Sequence, residues 1–111
     1  MVMSKYEIKA QQERQDWVVE AIEKMIVEPY TGTHTRLLTV LRSYIPPHIW
    51  FKPYTPRALS VVLSAVEQSG RLSGWGVYRW RTADTRMISL VPPGWVWDNA
   101  GRRWSHNGVP V

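Results

Sequence analysis

Between Asp16 and Pro29 the apolar side chains fall at Val18, Ala21, Ile22, Met25 and Ile26. This is the i, i+3, i+4 repeat of one helix face, with Trp17 at its edge. Upstream, Lys9–Gln15 is polar on every side, so the helix is expected to begin as a solvated extension. Ser4-Lys5-Tyr6-Glu7 has capping-box spacing and marks its start. Pro29 ends it, because proline disfavours helical backbone in the residue before it. Tyr30-Thr31-Gly32-Thr33 then reads as a turn. A second helix is expected from Thr33 or His34 to Tyr44, with Thr33 as N-cap. Its apolar face is Leu37, Leu38, Leu41, Tyr44 and Ile45, while Arg36, Thr39, Arg42 and Ser43 face outward.

Pro46-Pro47 stops that helix and opens a Pro- and aromatic-rich connection over residues 46–54. Ile49, Trp50 and Phe51 are expected to plug the core from it. The third helix has the clearest start signal. Thr55 can cap, and Pro56 occupies the first helical position, where its missing N–H costs nothing. Leu59, Val62, Leu63 and Val66 point inward. Arg57, Val61, Ser64 and Gln68 form the opposite face, with Ser60 and Glu67 alongside. Gly70 is the natural C-cap.

Beyond Gly70 the period changes from helical to two. Trp75–Arg81 and Arg86–Val91 read as strands around Thr82-Ala83-Asp84-Thr85. Pairing Arg81 with Arg86 sets Arg79 opposite Ile88 and Val77 opposite Leu90. The other face then carries Tyr78, Trp80, Met87 and Ser89, and the two aromatics are expected to pack rather than stand exposed. From Pro92 a second hairpin is expected, Trp95-Val96-Trp97 and Arg102-Arg103-Trp104 about Asp98-Asn99-Ala100-Gly101. Residues 105–111 read as a loose end. The organisation is thus a polar helical extension over 1–15, a domain over 16–91 and a Trp-rich tail over 92–111.

Charge sharpens this picture. Residues 1–30 hold four basic against six acidic side chains, whereas residues 31–111 hold ten against three. An acidic first helix on a basic body points to a polyanionic partner. Seven Trp in 111 residues exceed what one small core can hold, so some are expected at a binding surface. The absence of Cys excludes disulfides and thiolate metal sites and fits a reducing cytoplasm. The start lacks an apolar signal segment, and no run reaches the roughly 18–20 apolar residues of a membrane helix, so no membrane is expected.

Enzyme chemistry lacks its parts. His34, His48 and His106 are far apart and have no metal-ligand spacing. There is no Cys nucleophile, no G-x-S-x-G elbow and no phosphate-binding P-loop. No catalytic residue, cofactor or metal is expected. Duplex binding asks for less. On the third helix, Arg57 can pair with guanine or a phosphate, and Ser60, Ser64 and Gln68 can reach base edges or backbone oxygens. The same face also fits an ordinary solvated helix. Arg79, Arg81 and Arg86 on the hairpin suit phosphates, with Arg71 and Lys52 near enough in sequence to join them. Alternatively, Arg79, Arg81 and Arg86 are exposed arginines that balance the acidic first helix.

Three helices followed by a basic hairpin define the expected fold class, mainly α with a β-hairpin. This is a winged helix-turn-helix with a short aromatic C-terminal extension. The order Pro29-Tyr30-Thr31-Gly32-Thr33, Leu37-Leu38, Leu41, a Pro-rich gap, then Tyr54-Thr55-Pro56-Arg57-Ala58-Leu59 and Leu63 before the hairpin carries a resemblance. Over residues 17–91 it is similar to the C-terminal winged-helix segment of phage and plasmid primase-helicase replication proteins. That resemblance implies a DNA-binding protein of a mobile element, acting in replication or transcription control. It makes the Thr55–Ser69 helix the recognition helix and Arg79–Arg86 the wing. The primase and ATPase regions of such proteins lie outside this sequence, so helicase activity does not carry over. Double-stranded DNA is the expected partner, with helix one or the Trp-rich tail as the surface of any homodimer. The competing class is a protein-interaction module, such as a small viral inhibitor of a host protein.

Overall fold

The computed structural model describes residues 4–49 and 56–110. Along the chain these form α1 (Lys5–Met25), β1 (Tyr30–Thr33), α2 (His34–Arg42), α3 (Pro56–Gln68), β2 (Gly76–Thr82), β3 (Thr85–Val91), β4 (Trp95–Asp98), β5 (Arg103–His106) and β6 (Val109–Pro110). The strands make two antiparallel three-stranded sheets, ordered β1-β3-β2 and β4-β5-β6. The architecture is therefore mixed α/β rather than mainly α. The difference comes from two short strands that single-segment periodicity does not reveal.

The first is β1. Tyr30–Thr33, expected as a turn, pairs with β3 in the register Tyr30↔Leu90 to Thr33↔Met87. Four residues with a central glycine have little strand propensity of their own. Here a partner distant in sequence supplies the ladder, and Thr31 Oγ1 and Ser89 Oγ share a hydrogen bond of 3.1 Å. The second is β6. The chain after β5 is not loose: Asn107 (φ 53°) and Gly108 (φ 83°) turn it back onto β5. Two successive positive φ values are what a tight hairpin with the right twist requires, and Asn-Gly supplies them at least cost.

The helices form for the reasons their sequences state. Ser4 caps α1 through Glu7 N, and Thr33 caps α2 by accepting from Arg36 N at 3.0 Å. At the end of α3, Gly70 (φ 76°) permits the reversal in which Gly70 N donates to Glu67 O and Arg71 N to Val66 O. This 5→2 and 6→1 pair satisfies carbonyls that the helix would leave open. The N-cap position Thr55 and the connection residues Trp50 and Phe51 lie outside the described residues. Ile49 is half-buried and packs on the core as expected.

One core joins these elements. Val18 and Ile22 of α1, Leu37 and Leu41 of α2, Leu59, Leu63 and Val66 of α3, and Ile88 and Leu90 of β3 are all fully buried. Each such side chain contributes roughly 1.5–3 kcal/mol through removal of apolar area from water. Only the C-terminal part of α1 takes part; Tyr6 is 86% exposed. At its edge Trp17 tilts against Tyr44, whose hydroxyl donates to Glu20 at 2.9 Å. The projecting half of α1 and the β4-β5-β6 sheet lengthen the molecule to 52 × 32 × 26 Å. That small sheet holds itself together with rings: Trp95 stacks on His106, and Trp97 meets Trp104 edge-on.

Candidate nucleic-acid interface

The inward stripe of α3 leaves a defined outer ridge. Arg57, Val61, Ser64 and Gln68 are exposed, and Ser60 is half-buried on the flank that faces the β2–β3 hairpin. Glu67, further along that flank, reaches Arg79 of β2. Both guanidinium Nη atoms donate to its two carboxylate oxygens. The ion pair ties the last turn of α3 to the hairpin, so the two elements are held as a unit. Arg71 makes a second ion pair, 2.6 Å from Asp16 of α1. Two of the five arginine and lysine side chains expected on phosphates are thus already matched by carboxylates. Arg71 pairs with the acidic first helix, whereas Arg79, which the charge-balance alternative assigns to that helix, pairs instead with Glu67 of α3. Lys52 lies outside the described residues.

Arg57, Arg81 and Arg86 differ. They form no ion pair among the described residues. The hairpin register places Arg81 opposite Arg86, with Arg79 opposite Ile88 and Val77 opposite Leu90, as the alternation predicts. At its turn Ala83 takes φ 52°, which is unusual for a residue with a Cβ. Asp84, at that turn, forms no ion pair with either of the two facing arginines.

These groups border two adjoining depressions. One, of about 460 Å³, lies between Arg57, the first turn of α2 (His34, Thr35) and the hairpin tip (Asp84, Thr85, Arg86). Its neighbour is lined by Ser60, Arg79, Trp80, Arg81, Arg86 and Met87, and again by His34. So Arg57, Ser60, Arg79, Arg81 and Arg86 come together in one cleft. Ser64, Gln68 and Arg71 do not line it.

His34 is the residue that sequence reasoning passed over. Its spacing from His48 and His106 offers no metal site, and no cluster of metal-ligating side chains exists among the described residues. Its place in the apolar stripe was legible, since it precedes Leu37, Leu38 and Leu41 by three, four and seven residues. The imidazole is 2% exposed, and neither ring nitrogen has a hydrogen-bond partner. Burial is the main cause of a His34 pKa below the ordinary histidine value. The backbone of Arg86, close but outside hydrogen-bond geometry, opposes that shift, and the charges of Arg79 and Arg86 add to it. His34 is therefore neutral at pH 7.

The aromatics of β2 also depart from expectation. Tyr78 is 61% and Trp80 40% exposed, on the sheet face turned away from the helices. Chemically, the cleft offers guanidinium donors, threonine hydroxyls and the first turn of a helix. This set suits phosphate oxygens. No family model matches the chain, and no curated protein or solved structure matches it either.

Proposed function

We propose that the protein is a winged helix-turn-helix DNA-binding protein without catalytic activity, acting in replication or transcription control of a mobile element. The observation that carries this reading is the convergence of α3 and the β2–β3 hairpin on two adjoining depressions where Arg57, Arg81 and Arg86 form no ion pair among the described residues. The order α1-β1-α2-α3-β2-β3, with strands arranged β1-β3-β2, also supports it. That order presents a helix and a hairpin side by side, as a groove-reading helix and a wing require. In this reading α3 lies in the major groove with Arg57, Ser60, Ser64 and Gln68 towards the bases and nearby phosphates. Arg81 and Arg86 straddle the adjacent backbone. One arginine and two serines favour docking over a strict base code. The mobile-element setting rests on the resemblance of residues 17–91 to primase-helicase tails, and with it the cytoplasmic location.

A second reading, a protein-interaction module, is favoured by the exposed Tyr78 and Trp80, since aromatics are enriched where proteins meet. A fluorescence-anisotropy titration with a random-sequence duplex at low salt separates the two. The DNA reading expects saturable binding that weakens as salt rises. No binding at low salt rejects it in favour of the interaction module.

A further inference from the structure

Arg57 and Arg86 reach the same depression from α3 and β3, beside the first turn of α2, and neither forms an ion pair among the described residues, although Asp84 also borders it. At the floor sits His34, close to the backbone of Arg86. Neither of its buried ring nitrogens has a hydrogen-bond partner of good geometry among the described residues, a rare and costly state for an imidazole. Polar groups of this kind in a concave, charged setting mark places where a ligand completes the bonding. We propose that this depression seats a single phosphate group, and that His34 takes up a proton from solvent as the phosphate enters.

The charges around the imidazole explain the coupling. Arg57 faces the cleft from α3, Arg79 and Arg81 from β2, Arg86 from β3, and Asp84 from the turn, while Arg36 stands on the same helical turn as His34. Glu67 offsets Arg79. Burial first, and the charges of Arg79 and Arg86 after it, hold the imidazole in its neutral form. A phosphate held by Arg57 and Arg86 brings negative charge above the ring and favours its charged form. Thr33, whose Oγ1 already accepts from Arg36 N, keeps the first turn of α2 in place beneath it. Resting on the DNA reading, the phosphate is a phosphodiester of the duplex backbone, and duplex affinity rises as the pH falls through the His34 titration.

The test follows the ring C–H proton signals of the three histidines by NMR in the full chain, with and without dimethyl phosphate. The charge of that phosphodiester does not change between pH 5 and 8, and chloride at equal ionic strength is the control. His48 and His106 are exposed and serve as internal references. The expected result is a rise of about one pH unit in the His34 titration midpoint, with the two references unmoved. Arg57→Ala should remove that rise. The seat is overturned if His34 moves no more than His48 and His106. Repeating the titration with a duplex separates this proposal from the DNA reading. If dimethyl phosphate shifts His34 and no duplex binds, the seat stands and the DNA reading fails. If duplex binds and His34 does not shift, the reverse holds.

Discussion

Arg57 and Arg79 are both arginines beside the same cleft, yet they stand in different electrostatic company. Arg79 is held by Glu67 through two hydrogen bonds, so it is partly spent before any phosphate arrives. Arg57 has no such partner. Arg57→Ala is therefore expected to weaken duplex binding more than Arg79→Ala, by roughly 1–2 kcal/mol as against a few tenths. Glu67→Gln, which releases Arg79, should tighten it. Anisotropy at one fixed salt concentration ranks all three. His34 makes a separate prediction about stability. Its folded pKa lies below the unfolded value, so the unfolded chain binds more protons as the pH drops below about 6.5. Its contribution is full above that pH and is lost as the pH falls towards the folded pKa. The urea midpoint should therefore fall between pH 7.5 and pH 5.5 in the wild type. His34→Gln should fall less over the same range. At the hairpin turn, Ala83 holds a positive φ that glycine adopts without strain. Ala83→Gly should raise stability by up to about 1 kcal/mol in chemical denaturation.

At the scale of elements, α3 shows what a sequence can disclose. Its four inward residues, its glycine cap and its exposed ridge all follow from local spacing, and all recur in the structure. Because Leu63 is fully buried in the core cluster, Leu63→Ala should cost about 2–5 kcal/mol, read from urea unfolding. The β2–β3 register was legible for the same reason, since alternation over seven residues leaves one consistent pairing. β1 was not, because Thr31-Gly32-Thr33 becomes a strand only against β3, more than fifty residues away in sequence. β6 carried a visible signal in Asn107-Gly108, but two residues beyond it are too few for a period. The site was half legible. That Arg79, Arg81 and Arg86 share one hairpin face follows from its alternation, whereas the place of Arg71, expected beside them, does not. Which of them are free does not follow either, because the Glu67–Arg79 and Asp16–Arg71 pairs depend on how α3, β2 and α1 pack. The exposure of Trp80 is of the same kind: nothing local says whether a second layer will cover a sheet face.

The whole molecule is a helical and three-stranded body with a small aromatic sheet appended after Val91. Its radius of gyration, 15.4 Å, exceeds the roughly 13 Å of a compact chain of this length. None of the fully buried core residues comes from β4, β5 or β6. Ending the chain after Val91 should therefore leave a cooperatively folding protein, with a thermal midpoint lowered by only a few degrees in circular dichroism. If DNA binding resides in the cleft, the same truncation should leave it nearly unchanged. In the proposed reading, Arg57 of α3 and Arg81 and Arg86 of the β2–β3 hairpin, which form no ion pair among the described residues, make one phosphate-binding surface. The most direct measurement is the slope of log binding constant against log salt for a random duplex. The wild type is compared with a variant carrying Arg57→Ala, Arg81→Ala and Arg86→Ala. The account predicts that the variant loses about 2.7 from the magnitude of the slope, close to 0.9 for each phosphate contact removed. Equal slopes for the two proteins, or no binding of duplex by the wild type at low salt, would contradict it.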